Sequence, residues 1–231
     1  MPFTIEKYHI KTTSILDGLS ANDAAFLKRN IIRIEKPKGK VLFREGSYSK
    51  GAYILLKGKV KIYQTNEMGK EQIIYVYRKG EALGYMSLMN SEPSPVSAAL
   101  LENCTFSFIP SHVFLQLLER SSTFARKVLA NFSHEYSVMV NKISLFAQRA
   151  VRERVAIALL ILNEKYRKEN KKKGPVEIDL SRDDLANYTG TTVETLVRML
   201  RSFKDEKIIS TKGRKITILD PAQLAHIYEM N

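Results

Sequence analysis

The 231-residue chain contains one cysteine, Cys104, and only four histidines. A single thiol cannot close an internal disulfide, and no Cys/His cluster has the spacing of a zinc or iron–sulfur site, so no structural metal is expected. The chain also lacks an apolar run of about 18 residues, the length a membrane-spanning helix needs. Its opening stretch, MPFTIEKYHIKTTS, lacks the basic, apolar, small-residue order of a signal peptide. The expectation is a soluble, cytoplasmic protein with no membrane partner. Acidic side chains are in deficit as well: 24 Asp and Glu against 37 Lys and Arg leave a formal charge of +13. Such a balance favours a polyanionic partner, because binding nucleic acid releases phosphate counterions. A basic protein that is merely soluble would carry the same number. The excess is +9 over residues 1–149 and +4 over 150–231, so charge alone does not locate a binding surface. No nucleophile–base–orienter set or phosphate loop stands at usable spacing, and GEALGYM lacks the context of a dinucleotide fingerprint, so an enzyme is not expected and no catalytic residue is assigned.

What is present is 44% hydrophobic residues, enough for a real core in one large domain or two ordinary ones. After a helix near Asn22 to Asn30, the sequence from Ile31 to Pro110 breaks into short runs of β-branched and aromatic residues: KVLFREG, GAYILLKGKVKIYQ, EQIIYVYRKGEALG and VSAALLENCTFSFIP. Their turn spacing of roughly ten residues predicts an antiparallel roll or sandwich, with NEMGKE as a hairpin turn. From Ser111 the period becomes helical. HVFLQLLER is a short helix, and Ser122 is placed as the N-cap of a long one reaching Arg149. Phe124, Val128, Phe132, Met139, Ile143 and Phe146 recur near three- and four-residue spacings, while Leu129, Val138, Val140 and Leu145 widen the apolar stripe. One face can pack on the β domain and another can pair with the same helix of a second chain; a helix buried wholly within one chain is the competing reading.

The last part is predicted as helix (RERVAIALLILNEKYRKE), a charged loop (NKKKGP), a short strand (VEIDL), two closely spaced helices and a hairpin (IISTKGRKITIL) turning at Lys212 and Gly213. Ser181 caps the first of the paired helices, which ends at Thr189 and Gly190, and Thr191 or Thr192 caps the second. Two helices joined by a short glycine-containing turn make a helix-turn-helix. Leu185, Val193, Leu196, Leu200 and Phe203 supply the apolar side, leaving Thr192, Glu194, Thr195, Arg198 and Arg201 outward. In such a motif the start of the second helix enters the major groove, where Arg pairs with guanine and Glu accepts from cytosine N4. Two other readings compete: Glu194 could close a TTVE capping box begun by Thr191, or form a weak i, i+4 ion pair with Arg198.

The whole arrangement resembles the cyclic AMP receptor protein and fumarate–nitrate reductase regulator (CRP/FNR) family of bacterial transcription factors. The resemblance spans nearly the full chain and is most specific in LSRDDLANYTGTTVETLVRMLRSFKDEKIIS, whose VETLVR matches the family's E-T-x-x-R recognition signature. It implies an α+β fold: a β-roll over 1–110, a short helix and long dimerisation helix over 111–149, and a winged helix-turn-helix over 150–231. It implies a homodimer on a palindromic double-stranded DNA site, with RNA polymerase as a further partner. Glu194 and Arg198 then carry over as base readers. Val193 stands where the cyclic AMP receptor branch has arginine. Val197 stands where the other branch has serine, and could touch a thymine methyl. Ser181, Arg182, Thr192 and Arg201 are candidate phosphate contacts, with Lys212, Arg214 and Lys215 on the wing.

The resemblance also makes the roll a candidate sensor. The cyclic-nucleotide cassette, F-G-E-x-(A/S)-L then R-(S/T)-A, aligns with LGYMSL and VSA, so Tyr85 replaces the ribose-binding glutamate and Val96 the phosphate-binding arginine. A phosphate without its charge-assisted partner is poorly held, which argues against cyclic AMP in the usual mode. The branch's N-terminal cysteine set for an iron–sulfur cluster is absent. Haem on His9, His112, His134 or a methionine, and an apolar effector near Gly84, Tyr85, Met86, Met89, Val96, Ser97 and Met139, stay open. A core filled by the same side chains, with no effector, is the equal alternative. The rival functional class is a ligand-responsive module acting through a protein partner.

Overall fold

The computed structural model describes residues 5–8, 14–167 and 176–229. His9 and the NKKKGP loop lie outside the described residues. The chain divides into two compact units: one comprises Ile10–Asn66 and Ile74–Tyr136, the other Met1–His9, Glu67–Ile73 and Ser137–Asn231.

The first unit opens with α1 (Ala21–Asn30), whose N-cap Ser20 accepts from the Asp23 amide at 3.1 Å. Then follow β1 (Ile32–Lys36), β2 (Val41–Phe43), β3 (Gly51–Lys57), β4 (Val60–Thr65), β5 (Glu71–Tyr77), whose residues up to Ile73 fall in the other unit, β6 (Ala82–Leu83), α2 (Met86–Asn90), β7 (Ser97–Leu100), β8 (Cys104–Pro110) and α3 (Ser111–Arg120). The strands form two four-stranded sheets, ordered β1-β8-β3-β6 and β2-β7-β4-β5, the antiparallel roll expected from the turn spacing. Sequence neighbours are largely separated by strands from elsewhere in the chain, so the sheets close through long-range pairs such as β3 with β8. That pair approaches so closely at Gly51 that a Cβ there would sit 2.2 Å from the Ile109 carbonyl oxygen, and only glycine fits. The short helix α2 is absent from the sequence expectation because five residues are too few to display a helical period.

The long helix α4 runs from Ser122 to Gln148. Its cap lies one residue earlier than expected: Ser122 is already helical, and the Ala125 amide donates to Ser121 O at 2.9 Å. Along it Phe124, Val128, Asn131, Glu135, Val138, Lys142 and Leu145 are buried at alternating spacings of four and three. A second apolar row, Leu129, Phe132, Tyr136, Val140 and Ile143, is exposed, with Ile143 at 69% and Tyr136 at 65%. The apolar stripe read from sequence therefore divides into an inner and an outer face. Phe132 and Ile143 belong to the outer one, because the three polar positions 131, 135 and 142 sit on the inner one and shift its register. A helix buried wholly within the chain is ruled out by that exposed row.

The second unit is built around α5 (Val151–Arg167), in which every residue from Val155 to Asn163 is buried. Around it lie β9 (Glu177–Asp179), α6 (Arg182–Thr189), α7 (Val193–Asp205), β10 (Ile209–Lys212), β11 (Lys215–Ile218) and α8 (Pro221–Glu229). The strands form a three-stranded sheet ordered β10-β11-β9. Lys212 pairs with Lys215, so the wing turns at Gly213 and Arg214, one residue later than expected. The final helix α8 was not anticipated; it packs on α5 through the buried Leu224. Among the described residues no helix is long and apolar enough to cross a membrane, and no group of three or more His, Cys, Asp or Glu could hold a metal ion.

Candidate nucleic-acid interface

The helix-turn-helix is fixed by local chemistry at each end. The Ser181 hydroxyl accepts from the Asp184 amide at 3.0 Å, starting α6, and Gly190 ends it in the left-handed region at φ 62°. Thr192, not Thr191, caps α7, its hydroxyl accepting from the Thr195 amide at 3.2 Å. Thr191 is instead buried beside the turn, its amide bonded to Ala186 O at 3.1 Å. That register makes Thr195 the third helical residue and Glu194 the second, so the TTVE capping box does not form. Glu194 lies against its own amide and the Thr192 hydroxyl, and both lower its carboxyl pKa. Among the described residues no ion pair joins Glu194 to Arg198.

Burial along α7 separates the two roles. Leu196, Leu200 and Phe203 are buried, whereas Glu194, Val197, Arg198 and Arg201 are exposed on the other side. Val197, an apolar side chain held 47% exposed, lies on the same side as the arginines. The far end of α7 is anchored by Arg152 of α5, which donates to Glu206 at 2.7 and 2.8 Å and to Ser202 at 2.7 Å with its guanidinium over the Phe203 ring. Sequence reasoning missed this anchor, since its partners are some fifty positions away in the chain.

The seven phosphate candidates fall into different environments. Thr192, Arg201 and Lys212 are exposed, and Ser181 is half-buried as a cap. Arg182 donates to the wing-turn carbonyls of Gly213 and Arg214, both at 3.0 Å, and partial burial lowers its pKa. Arg214 is paired with Asp179, and Lys215 reaches Glu177 at 2.6 Å, a contact that raises the lysine pKa. These three cations therefore brace the wing against α6 and β9. Between α7 and the wing lies an open groove of about 420 Å³. Its lining includes Arg201 and Arg182 and also Lys204 and Thr211, which the sequence reading did not select. Lys204 follows Arg201 by three positions, a helical spacing that could have signalled it.

The effector candidates do not form an open nucleotide site. Tyr85 is 1% exposed, so its own ring occupies that position. Its ring stacks on Phe114 at 6.2 Å, and its hydroxyl donates to Glu135 of α4 at 2.9 Å. Burial and the nearby carboxylate push its pKa far up, so the phenol stays protonated as a donor. Gly84 is held at φ 79° against the Tyr53 and Phe43 rings. Ser97 is buried and accepts from the Glu45 amide at 2.9 Å, while Val96 is half-buried and Met86 and Met89 face outward. Met139 belongs to the other compact unit and is half-buried. A cyclic nucleotide would have to displace Tyr85, meet the Glu135 carboxylate and place its phosphate beside a valine. The residues present do not fit it. Of the histidines raised as haem ligands, His112 is exposed and His134 half-buried.

Comparison with known proteins agrees with this geometry. The cyclic nucleotide-binding domain model matches residues 33–121, and the Crp-like helix-turn-helix domain model matches 153–227. The fumarate and nitrate reduction regulatory protein of Yersinia pestis is 30% identical over 200 residues, spanning 86% of this chain and 80% of that protein. The chain belongs to the CRP/FNR family. The transcriptional activator Anr of Pseudomonas protegens is 29% identical, over 81% of this chain and 76% of its own. A CRP/FNR-family regulator from Eubacterium rectale has the same fold, with a TM-score of 0.76 at 21% identity over 94% of this chain and 98% of its own. Like other members of the CRP/FNR family, this chain is a DNA-binding transcription regulator and not an enzyme.

Proposed function

We propose that the chain acts as a homodimer that reads a palindromic duplex through Glu194, Val197 and Arg198, without control by cyclic AMP. The segments 1–110, 111–149 and 150–231 serve as sensor-like roll, dimerisation helix and DNA-binding domain. The observation that carries the reading is the division of α7 into a buried apolar side and an exposed side bearing Glu194, Val197 and Arg198. Arg198 pairs with guanine O6 and N7, Glu194 accepts from the paired cytosine, and Val197 packs on a thymine methyl. Ser181, Thr192, Arg201 and Lys212 contact phosphates and fix the register. Arg182, Arg214 and Lys215 contribute positive field while holding the wing in place.

The exposed α4 row from Leu129 to Ile143 pairs with its own copy about a two-fold axis. Such a dimer places two recognition helices about 34 Å apart, one helical turn of duplex. RNA polymerase is the protein partner implied by the family, and the cytoplasm the compartment in which both are met. Absence of a fitting cyclic-nucleotide site, with Tyr85 and Glu135 joined in its place, favours a protein active without that ligand.

Selection from a random duplex library tests this reading. Enrichment of a palindrome by the bare protein supports it. Enrichment of no sequence, or enrichment that requires added cyclic AMP, overturns it.

A further inference from the structure

The last carbonyls of any helix lack partners within it and must find donors elsewhere. At the end of α6 two such carbonyls, and that of the capping Gly190, are met by side chains from outside the helix-turn-helix. Arg154 of α5 donates to Thr189 O at 3.2 Å and Gly190 O at 3.1 Å. Gln72, at the start of the β5 side of the β4–β5 hairpin, donates from Nε2 to Asn187 O at 2.8 Å. Although it lies within a sheet strand of the roll sequence, the segment Glu67–Ile73 belongs to the same compact unit as the helix-turn-helix. The turn is closely fitted: a Cβ on Gly190 would lie 3.0 Å from the Phe146 ring and 3.4 Å from Gln72 Oε1. The Arg154 guanidinium lies 5.7 Å from the Phe146 ring centroid, closing the cluster.

We infer that Gln72 and Arg154 are positioning residues of DNA recognition, which hold the turn and thereby set the angle at which α7 presents Glu194 and Arg198. Neither touches DNA in this role. A cation at a helix C-terminus also offsets the negative end of the helix dipole, which suits Arg154 to that place. Gln72 is exposed, so its replacement removes a donor without opening a core. The hairpin tip is thus an arm of the recognition motif, and whatever shifts residues 67–73 will shift sequence reading. The inference rests on the base-reading role of Arg198 proposed above.

The test compares Gln72→Ala, Arg154→Lys and Arg198→Ala in the full chain, on the enriched palindrome and on random duplex, over a salt series. A neutral hydrogen bond is worth about 0.5 to 1.5 kcal/mol, so Gln72→Ala should lower the specific-to-random affinity ratio roughly 2- to 10-fold. The salt slope should stay unchanged, because no phosphate contact is lost. Arg154→Lys keeps the charge but not the two-carbonyl fork, so it should lower the ratio too. The double variant should lose less than the sum of the two, since both side chains hold one turn. An unchanged or increased ratio in Gln72→Ala, with helix content intact by circular dichroism, would overturn the inference. Arg198→Ala keeps the two failures apart. If it leaves the ratio unchanged, the base-reading role is wrong; if it relaxes the ratio while Gln72→Ala does not, only the positioning arm is wrong.

Discussion

The hydroxyl of Tyr85 donates to the carboxylate of Glu135 across 2.9 Å, joining the sensor cassette to the long helix by a buried hydrogen bond between residues fifty positions apart. Both side chains are nearly inaccessible, at 1% and 3% exposure. A buried carboxylate needs its donors, and removing one leaves a desolvated charge less well held. Tyr85→Phe should therefore destabilise the protein by about 1 to 3 kcal/mol while keeping the stacking on Phe114, read as a lowered thermal midpoint. Millimolar cyclic AMP should leave the midpoint of the native protein unchanged, because a ligand that does not bind the folded state cannot stabilise it.

Arg198→Ala should cost about 1 to 3 kcal/mol on the enriched duplex and relax preference at one base pair. Lys212→Ala should weaken binding to all duplexes alike and flatten the logarithmic salt slope by about one unit. Lys215→Ala should change that slope less, since Lys215 is already paired with Glu177 at 2.6 Å. Fluorescence anisotropy on specific and random duplexes at several salt concentrations distinguishes the three.

Ile143, 69% exposed on α4, lies in the apolar row assigned to the dimer. A carboxylate there would be buried twice, once from each chain, facing its own copy. Ile143→Glu should shift the protein to monomer in analytical ultracentrifugation and lower operator affinity by more than tenfold, with little effect on monomer folding.

Lys142 is buried on the inner face of α4, its ammonium 3.2 Å from the Tyr188 hydroxyl, with Lys165 of α5 as a nearby positive charge. Burial first, and the second lysine next, lower its pKa from 10.5 to about 7. Between those values the unfolded chain binds the proton and the folded one does not, so this group makes stability rise with pH from about 7 toward 10.5. Below pH 7 the lysine is charged in both states and the cost of burying it is present in full. Lys142→Met should raise the thermal midpoint most at and below pH 7, the gain shrinking as pH approaches 10. A pH series of melts on both proteins checks this.

The helix-turn-helix could be read from sequence almost residue by residue because its determinants are local. Ser181 and Gly190 act within one turn of α6, and Leu196, Leu200 and Phe203 repeat at helical spacing. The outward set of Glu194, Val197, Arg198 and Arg201 then follows from the period alone. The departure from the family's nucleotide cassette was equally legible, since Tyr85 and Val96 differ in kind from the charged residues of that cassette. One-residue errors at Ser122 and the wing turn, and the open choice between Thr191 and Thr192, arose where two adjacent residues can serve equally well and only the backbone register chooses.

Other features depended on which distant segments the fold brings together, and no local period encodes that. Tyr85 alone could line a pocket or fill a core; the nearness of Glu135 decided for filling. Which apolar positions of α4 belong to which of its two faces was not settled until the buried positions of Asn131, Glu135 and Lys142 fixed the inner side. Arg182 looked like any surface cation until the Gly213 and Arg214 carbonyls were found within 3.0 Å. Gln72 carried no signal at all, because a single glutamine acquires its role only when a carbonyl 115 residues away, at the end of α6, lacks a donor. The sequence by itself determined the helix-turn-helix and the departure from the family's nucleotide cassette, through short-range caps, periods and side-chain chemistry. The tertiary structure decided how the sensor is closed and how the recognition turn is held, because buried and terminal polar groups take whichever partners folding brings within reach.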